Sequence, residues 1–203
     1  MTTKVPEGML AFTVATQAEL DAEAATRAAA DAAEVINRNA AIAATNPTQR
    51  LTSAASQATT SGTSKDFTSI PSWVKRITVL FQGVSLSGTA GFLVQVGAGS
   101  VATTGYVSTG VRTSTASTSN GLNSTAGMVV GNNVATDTVS GTMTFSHMGG
   151  NVWVSSHTMK GATNTGFHGG GDVTLGGVLD RLRVTTTNGT DTFDAGSVNI
   201  LYE

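Results

Sequence analysis

Cysteine is missing from the sequence altogether. Disulfides and thiolate metal sites are thereby excluded as supports for the fold, and cysteine usage reveals nothing of the redox compartment. Charge is scarce as well. Asp, Glu, Lys and Arg make up 12% of the 203 residues, where an average soluble domain carries about 25%. The 11 basic and 13 acidic residues nearly cancel, so there is no clustered cationic footprint for nucleic acid. No basic amphipathic helix and no run of roughly 18 apolar residues is present, which predicts no membrane span. The opening MTTKVPEGMLAFTVATQAEL has only a short apolar patch, Met9 to Val14, and lacks the charged and hydrophobic regions of a secretory signal.

Thr, Ser, Gly and Asn fill the space that Lys and Glu usually take. Disorder through high net charge is excluded by the same numbers. What remains is a β-rich protein with a neutral, hydroxyl-covered surface, suited to persistence outside a cell more than to metabolism. The length predicts one domain, or one domain plus an appendage.

Composition divides the chain into four parts. Residues 1–16 form a terminal segment with few features beyond Pro6 and Gly8, expected to serve attachment. Residues 17–44 predict a helix: Thr16 is placed as N-cap with Glu19 three residues later, a capping box. Alanine, the strongest helix former, dominates the run, and Pro47 follows as a stop. Fully helical, it would be about 42 Å long. One seam of this helix, Ala25, Ala28, Ala32, Val35, Asn39 and Ile42, alternates steps of three and four, which is heptad spacing with a polar Asn in a core position. A second seam through Ala29, Ala33, Ile36, Ala40 and Ala43 fits equally well. Self-association is favoured over packing on a globular partner, because no large apolar stripe exists for such a partner to bury. Residues 45–66 are expected to be a polar linker.

From Phe67 the period becomes two. RITVLFQG (76–83) and GFLVQVG (91–97) predict strands with VSLSGTA as the turn between them, YVSTGV (106–111) and AGMVVG (126–131) two short ones. VSGTMTFSHM and NVWVSSHTMK predict a hairpin across Gly149-Gly150-Asn151. The end of the chain predicts strands around an Asn188-Gly189 turn and a last strand, Ser197 to Tyr202. The fold class is therefore mainly β: an antiparallel β-sandwich or jelly-roll C-terminal domain, 67–203, preceded by an α-helical, coiled-coil stalk. About 135 residues can bury roughly two-thirds of their unfolded surface.

Two stretches, SIPSWVKRITVLFQGVSLSGT and GGVLDRLRVTTTNGTDTFDAGSVNILYE, resemble the C-terminal β-sandwich domain of tailed-bacteriophage fibre proteins. In that family an I-P-x-W-V-K-R-I lead-in precedes a G-V-S strand end, and D-R-[LV]-R-[VL]-T-T-x-N-G-T-D-x-F-D-A-G closes the domain before I-x-Y-E. The likeness covers roughly residues 67–203, and the closing segment is its most specific part. VATQAELDA is similar to a phrase of fibre shafts, although here an Ala-rich helix follows it. The resemblance implies a virion surface protein, usually a homotrimer, with the terminal domain displayed outward as a knob. Ile70 and Trp73 are expected to cover the base of the sandwich, where stalk gives way to knob. For Trp73 core packing is preferred to a ligand platform.

Catalytic and cofactor signals are thin, and no enzyme activity, cofactor or metal is expected. His147, His157 and His168 lie too far apart in sequence for a chain-local metal site. A trimer could gather three copies of His168 on its axis, given a flexible surface loop at GFHGGGD. That Gly-rich run lacks the G-K-[ST] ending of a phosphate loop. Glycosidase chemistry needs two carboxylates about 5 to 10 Å apart. Asp172, Asp180, Asp191 and Asp194 are available, but turn or strand-end hydrogen bonding is preferred for Asp180 and Asp194. Receptor contacts are expected in the polar loops 113–127 and 159–171, with Tyr106, Asn123, Asn164, Phe167 and His168 as candidates, because loops carry binding more often than strands. The expected function is a short tail fibre that adheres to a host surface glycan or protein, docks on other virion proteins through its N-terminal region and trimerises through its helix. The alternative is a capsid decoration or head-fibre protein. Accessible aromatics in the knob loops would favour adhesion.

Overall fold

The computed structural model describes residues 15–45, 51–115, 119–131, 134–162 and 164–203. All but two residues of the expected attachment segment, 1–16, lie outside these. The chain divides into two compact units, Met1–Pro47 and Thr48–Glu203. The protein is mainly β, with antiparallel sheets and one N-terminal helix.

The helix, α1, spans Gln17–Thr45. Its start is set by the capping box: the Thr16 amide donates to Glu19 Oε2 at 2.7 Å, and the Glu19 amide donates to Thr16 Oγ1 at 3.4 Å. The Thr16 amide, and after it the Thr16 hydroxyl donating to the same oxygen at 3.0 Å, hold the Glu19 carboxyl below its usual range. On the surface Arg27 pairs with Glu23, and Arg38 with Glu34 at 2.6 Å, exposed pairs worth a few tenths of a kcal/mol each. Ala25, Ala28, Ala32, Val35, Asn39 and Ile42 are all exposed. Among them Val35 is 50% and Ile42 56% accessible.

Among its described residues the second unit has fourteen strands. They are β1 (Thr52–Ser53), β2 (Gln57–Ala58), β3 (Ser64–Thr68), β4 (Arg76–Leu86), β5 (Phe92–Ala98), β6 (Ser100–Val101) and β7 (Tyr106–Ser114). Then follow β8 (Ser119–Ser124), β9 (Met128–Val129), β10 (Val139–Gly149), β11 (Val152–Lys160), β12 (Thr165–Thr174), β13 (Arg181–Thr186) and β14 (Phe193–Tyr202). The larger sheet runs β1-β14-β4-β10-β11-β12-β7-β8, with β2 also on β14; the smaller runs β3-β13-β5-β6, with β9 on β5. Side chains of both sheets enter one buried cluster, including Ile77, Val79, Met143 and Phe145 from the first and Val94, Val96, Leu182 and Val184 from the second. Phe81 meets Phe92 edge-on at 5.9 Å, and Phe92 stacks on Phe193 at 6.3 Å, so aromatic rings from both sheets interlock there.

Several expectations need correction. The stretch expected as a linker, within its described residues 51–66, belongs to the sheets. Ala54 donates its amide to the Ile200 carbonyl at 3.0 Å, and Thr59 is fully buried, its hydroxyl on Ala195 O at 2.7 Å. Its polar composition hides this because the partner, β14, supplies the apolar side chains. VSLSGTA is not a turn throughout: β4 continues to Leu86 with Val84, Ser85 and Leu86 buried, and β4 and β5 lie in different sheets. The expected hairpin is present, β10 pairing with β11 and Gly149 and Gly150 at positive φ. Ile70 is buried as expected, while Trp73 is half-buried and tilted against Tyr202 at 6.0 Å.

The run expected as a flexible loop, GFHGGGD, lies inside β12. Gly169 and Gly171 occupy inward positions opposite Gly110 and Ser108 of β7. A Cβ on Gly110 would stand 2.5 Å from the Val129 carbonyl oxygen, and one on Gly171 would be 3.0 Å from Met128 Sδ. These glycines make room for the segment at β9 to press onto the larger sheet. Gly110→Val should therefore lower stability by about 1–3 kcal/mol through overpacking, visible as a reduced urea midpoint at unchanged slope.

Candidate functional site

A shallow cleft along β7 and β8 is lined by two of the five candidate contact residues, and a third stands on the neighbouring β12. Tyr106 and Asn123 line this cleft of about 360 Å³, together with Val107, Ser108, Thr109, Ser124 and Thr125. Strand alternation decides what each offers. Val107, Thr109, Asn123 and Thr125 are exposed, whereas Tyr106 and Ser108 are buried. Thr109 donates its hydroxyl hydrogen to Asn123 Oδ1 at 2.8 Å, which orients the amide. His168 is exposed on the neighbouring strand, opposite Val111.

Tyr106 and Phe167 are not surface contacts; each is 1% accessible. The Tyr106 hydroxyl donates to Val96 O at 3.0 Å and accepts from Val96 N at 2.8 Å, bonding β7 to β5 across the core. Burial pushes its pKa to about 12. Phe167 packs inward from β12 beside Gly131 and Gly161. Asn164 is exposed but sits at the turn before β12, in a left-handed conformation with φ of 66°, its carbonyl accepting the Thr115 amide. The structure places neither Asn164 nor Phe167 in the cleft lining.

The remaining candidates for chemistry have structural partners. Asp180 accepts from Arg181 Nε at 2.8 Å and from the Gly99 amide at 3.1 Å, and the Arg181 bond above all holds its carboxyl low. Asp191 accepts from Asn188 Nδ2 and the Ala90 amide, which lower it likewise. Asp194 accepts from Ser85 Oγ. Asp172 is exposed on β12. Among the described residues no group of three or more His, Asp or Glu is arranged to hold a metal ion.

His157 is buried under the segment that follows β9. Its Nε2 bonds the Val130 carbonyl at 3.0 Å, so the ring carries its proton on Nε2, while Nδ1, like the Ser155 hydroxyl, has no partner among the described residues. Burial drives its pKa down, with the Val130 bond opposing and His168 adding to the fall. His147 takes Lys75 Nζ at 3.2 Å and the Gly150 carbonyl at 2.8 Å at the β10–β11 hairpin.

Residues not singled out from the sequence, Val107, Thr109 and Thr125, complete the cleft. Their signal was the alternation in YVSTGV, whose inward positions carry Tyr, Ser and Gly. Among the described aromatics only Trp73 and Tyr202 are partly exposed. Among the described residues no helix is long and apolar enough to cross a membrane. No protein-family model, curated protein or solved structure matches the chain.

Two buried rings give opposite pH responses. The His157 pKa is depressed in the folded state, so its contribution to stability is complete above about pH 6.5 and is lost as pH falls through the folded value. The Tyr106 pKa is raised from 10.0 to about 12, so its contribution is complete below pH 10 and is lost as pH climbs toward 12. Thermal melts against pH should show an acid slope that shallows in His157→Gln and an alkaline slope that shallows in Tyr106→Phe.

Proposed function

We propose that the chain is a structural protein of a phage virion: a short tail fibre whose distal knob adheres to the host surface and which has no enzymatic role. On this reading the two sheets are the faces of a β-sandwich of jelly-roll type, and α1 is the coiled-coil stalk of a homotrimer. The N-terminal region docks on other virion proteins, and the knob meets a host glycan or protein.

One observation carries this reading. The two stretches that bear the likeness to fibre knobs lie about a hundred residues apart, yet they pair with each other. Ile70 donates its amide to Asp180 O at 2.9 Å. β4 runs against β14 from Ile77↔Tyr202 to Phe193↔Leu86. The amides of Lys75 and Arg76 both donate to Glu203 O. A likeness split along the sequence but joined in space is one feature, not two coincidences. The exposed Val35, Ile36 and Ile42 on α1 add support, because a helix needs packing to be stable in water.

A second reading, a capsid decoration or head-fibre protein, is favoured by the scarcity of accessible aromatics, only Trp73 and Tyr202 being partly exposed among those described. Immunogold labelling or cryo-EM density assignment on intact particles separates the two. Density at the tail tip or baseplate supports the fibre; density on the shell supports decoration; absence from the particle overturns both. The stalk is tested by light scattering. The full chain should show about three times 20.5 kDa, and Val35→Glu with Ile42→Glu should return it to the monomer mass. A monomeric wild type removes the stalk.

A further inference from the structure

The large sheet carries an unusual outer face. Pairing registers align its outward side chains into rows that cross the strands. One row runs Asn123, Thr109, Gly170, Ser156, Thr144, Thr78, through β8, β7, β12, β11, β10 and β4. In the next row His168 lies opposite Thr158, and Thr158 opposite Thr142. A β face turned to water ordinarily carries charged residues among its polar ones; the first row carries no formal charge over six strands. Asp172 and Arg76 stand one row to one side, and Lys160 lies on the other.

The hydroxyls of Ser156, Thr158, Thr142 and Thr144 have no hydrogen-bond partner among the described residues. Each offers one donor and two acceptor positions. Gly170 adds a gap between Thr109 and Ser156. It is held as glycine by the sheet itself, since a Cβ there would stand 2.7 Å from Ser155 O. A ligand can therefore reach the backbone at the middle of the row.

The geometry points to this face as a binding surface for a neutral polysaccharide chain laid across the strands. It rests on the adhesion reading and names the ligand class and the surface that reading leaves open. The chemistry selects the occupant. Ranked hydroxyls and amides, present on five of the row's six strands at a spacing of about 4.8 Å, match a polymer that presents hydroxyls at every ring. An acidic polymer would find no cation along the row, and the desolvated charge would go uncompensated. An apolar protein segment would leave these hydroxyls buried and unbonded.

The test uses the full chain and a panel of dextran, mannan, galactan and cello-oligosaccharides, with hyaluronate and polysialic acid as acidic members, read by biolayer interferometry. At least one neutral polymer should bind. Thr109→Lys and Ser156→Lys, both at exposed positions, should each weaken that binding at least tenfold. Thr190→Lys, in the exposed turn before β14, should leave it within twofold. Circular dichroism melts confirm that the variants are folded; if either lysine variant melts early, Ser156→Gln takes its place with the same expected loss. Binding that survives both row substitutions, preference for an acidic polymer, or no binding to any neutral polymer overturns the proposal. Particle labelling is blind to this face, and the panel is blind to where the chain is mounted. The adhesion reading and the face can therefore fail separately.

Discussion

The β unit depends on how closely the segment at β9 lies against β7 and β12. Four hydrogen bonds clasp the layers: the Tyr106 hydroxyl with both the amide and the carbonyl of Val96, Ser108 Oγ from the Val129 amide at 2.8 Å, and His157 with the Val130 carbonyl. Each ties a side chain of the larger sheet to the main chain of the layer above it, and a buried polar group left unpaired costs about 1–3 kcal/mol. The clasp needs small residues beneath it, which Ser108, Gly110, Gly169 and Gly171 provide. Elsewhere in the core Phe81, Phe92 and Phe193 fill the space between the sheets with rings. One unit thus uses backbone proximity in one place and aromatic volume in another.

That choice explains what the sequence showed and what it hid. The helix was legible to the residue at its start, because a capping box is local chemistry between Thr16 and Glu19. The β10–β11 hairpin was legible because Gly149 and Gly150 punctuate two alternating runs. Strand β12 was not, because the two middle inward positions, between Phe167 and Val173, are Gly169 and Gly171, and a period of two written in Gly rather than Val has no hydrophobic signal. The same blindness turned Tyr106 and Phe167 into surface candidates: in polar company an aromatic looks exposed, whereas parity with Gly110 and Val173 puts both inside. β1 and β2 were missed for another reason. Two-residue strands exist through main-chain bonds to β14, and no property of their own side chains announces a partner some 140 residues away. Asn123 and His168 do stand on the outer face, yet on strands and not in loops.

Scarce charge is used sparingly and mostly for fastening. Asp137 is 1% exposed; it takes Arg112 Nε at 3.0 Å and the Ala162 amide at 3.2 Å, tying β7 to the loop before β10 and to the turn before β12. Removing one member of such a buried pair leaves an uncompensated charge, which is costly even where the intact pair adds little. Arg183 joins β13 to Asp66 of the neighbouring β3 in the same way, nearer the surface. With its few charges committed to such joints, the protein leaves hydroxyls and amides to face the solvent.

Strand β1 lies beside the end of β14, Thr52 opposite Tyr202. The chain therefore enters and leaves the β unit through a single doorway at one margin of the larger sheet. Strand β8 forms the other margin, six strand spacings of about 4.8 Å from β14, on the order of 30 Å. A module whose two ends share one doorway can be spliced into a host loop, or exchanged between carriers, without rethreading its core. Cargo attached at the doorway leaves the distant margin and the hydroxyl rows beside it unobstructed. Whatever is joined at the doorway, the distant margin can change in sequence without disturbing it.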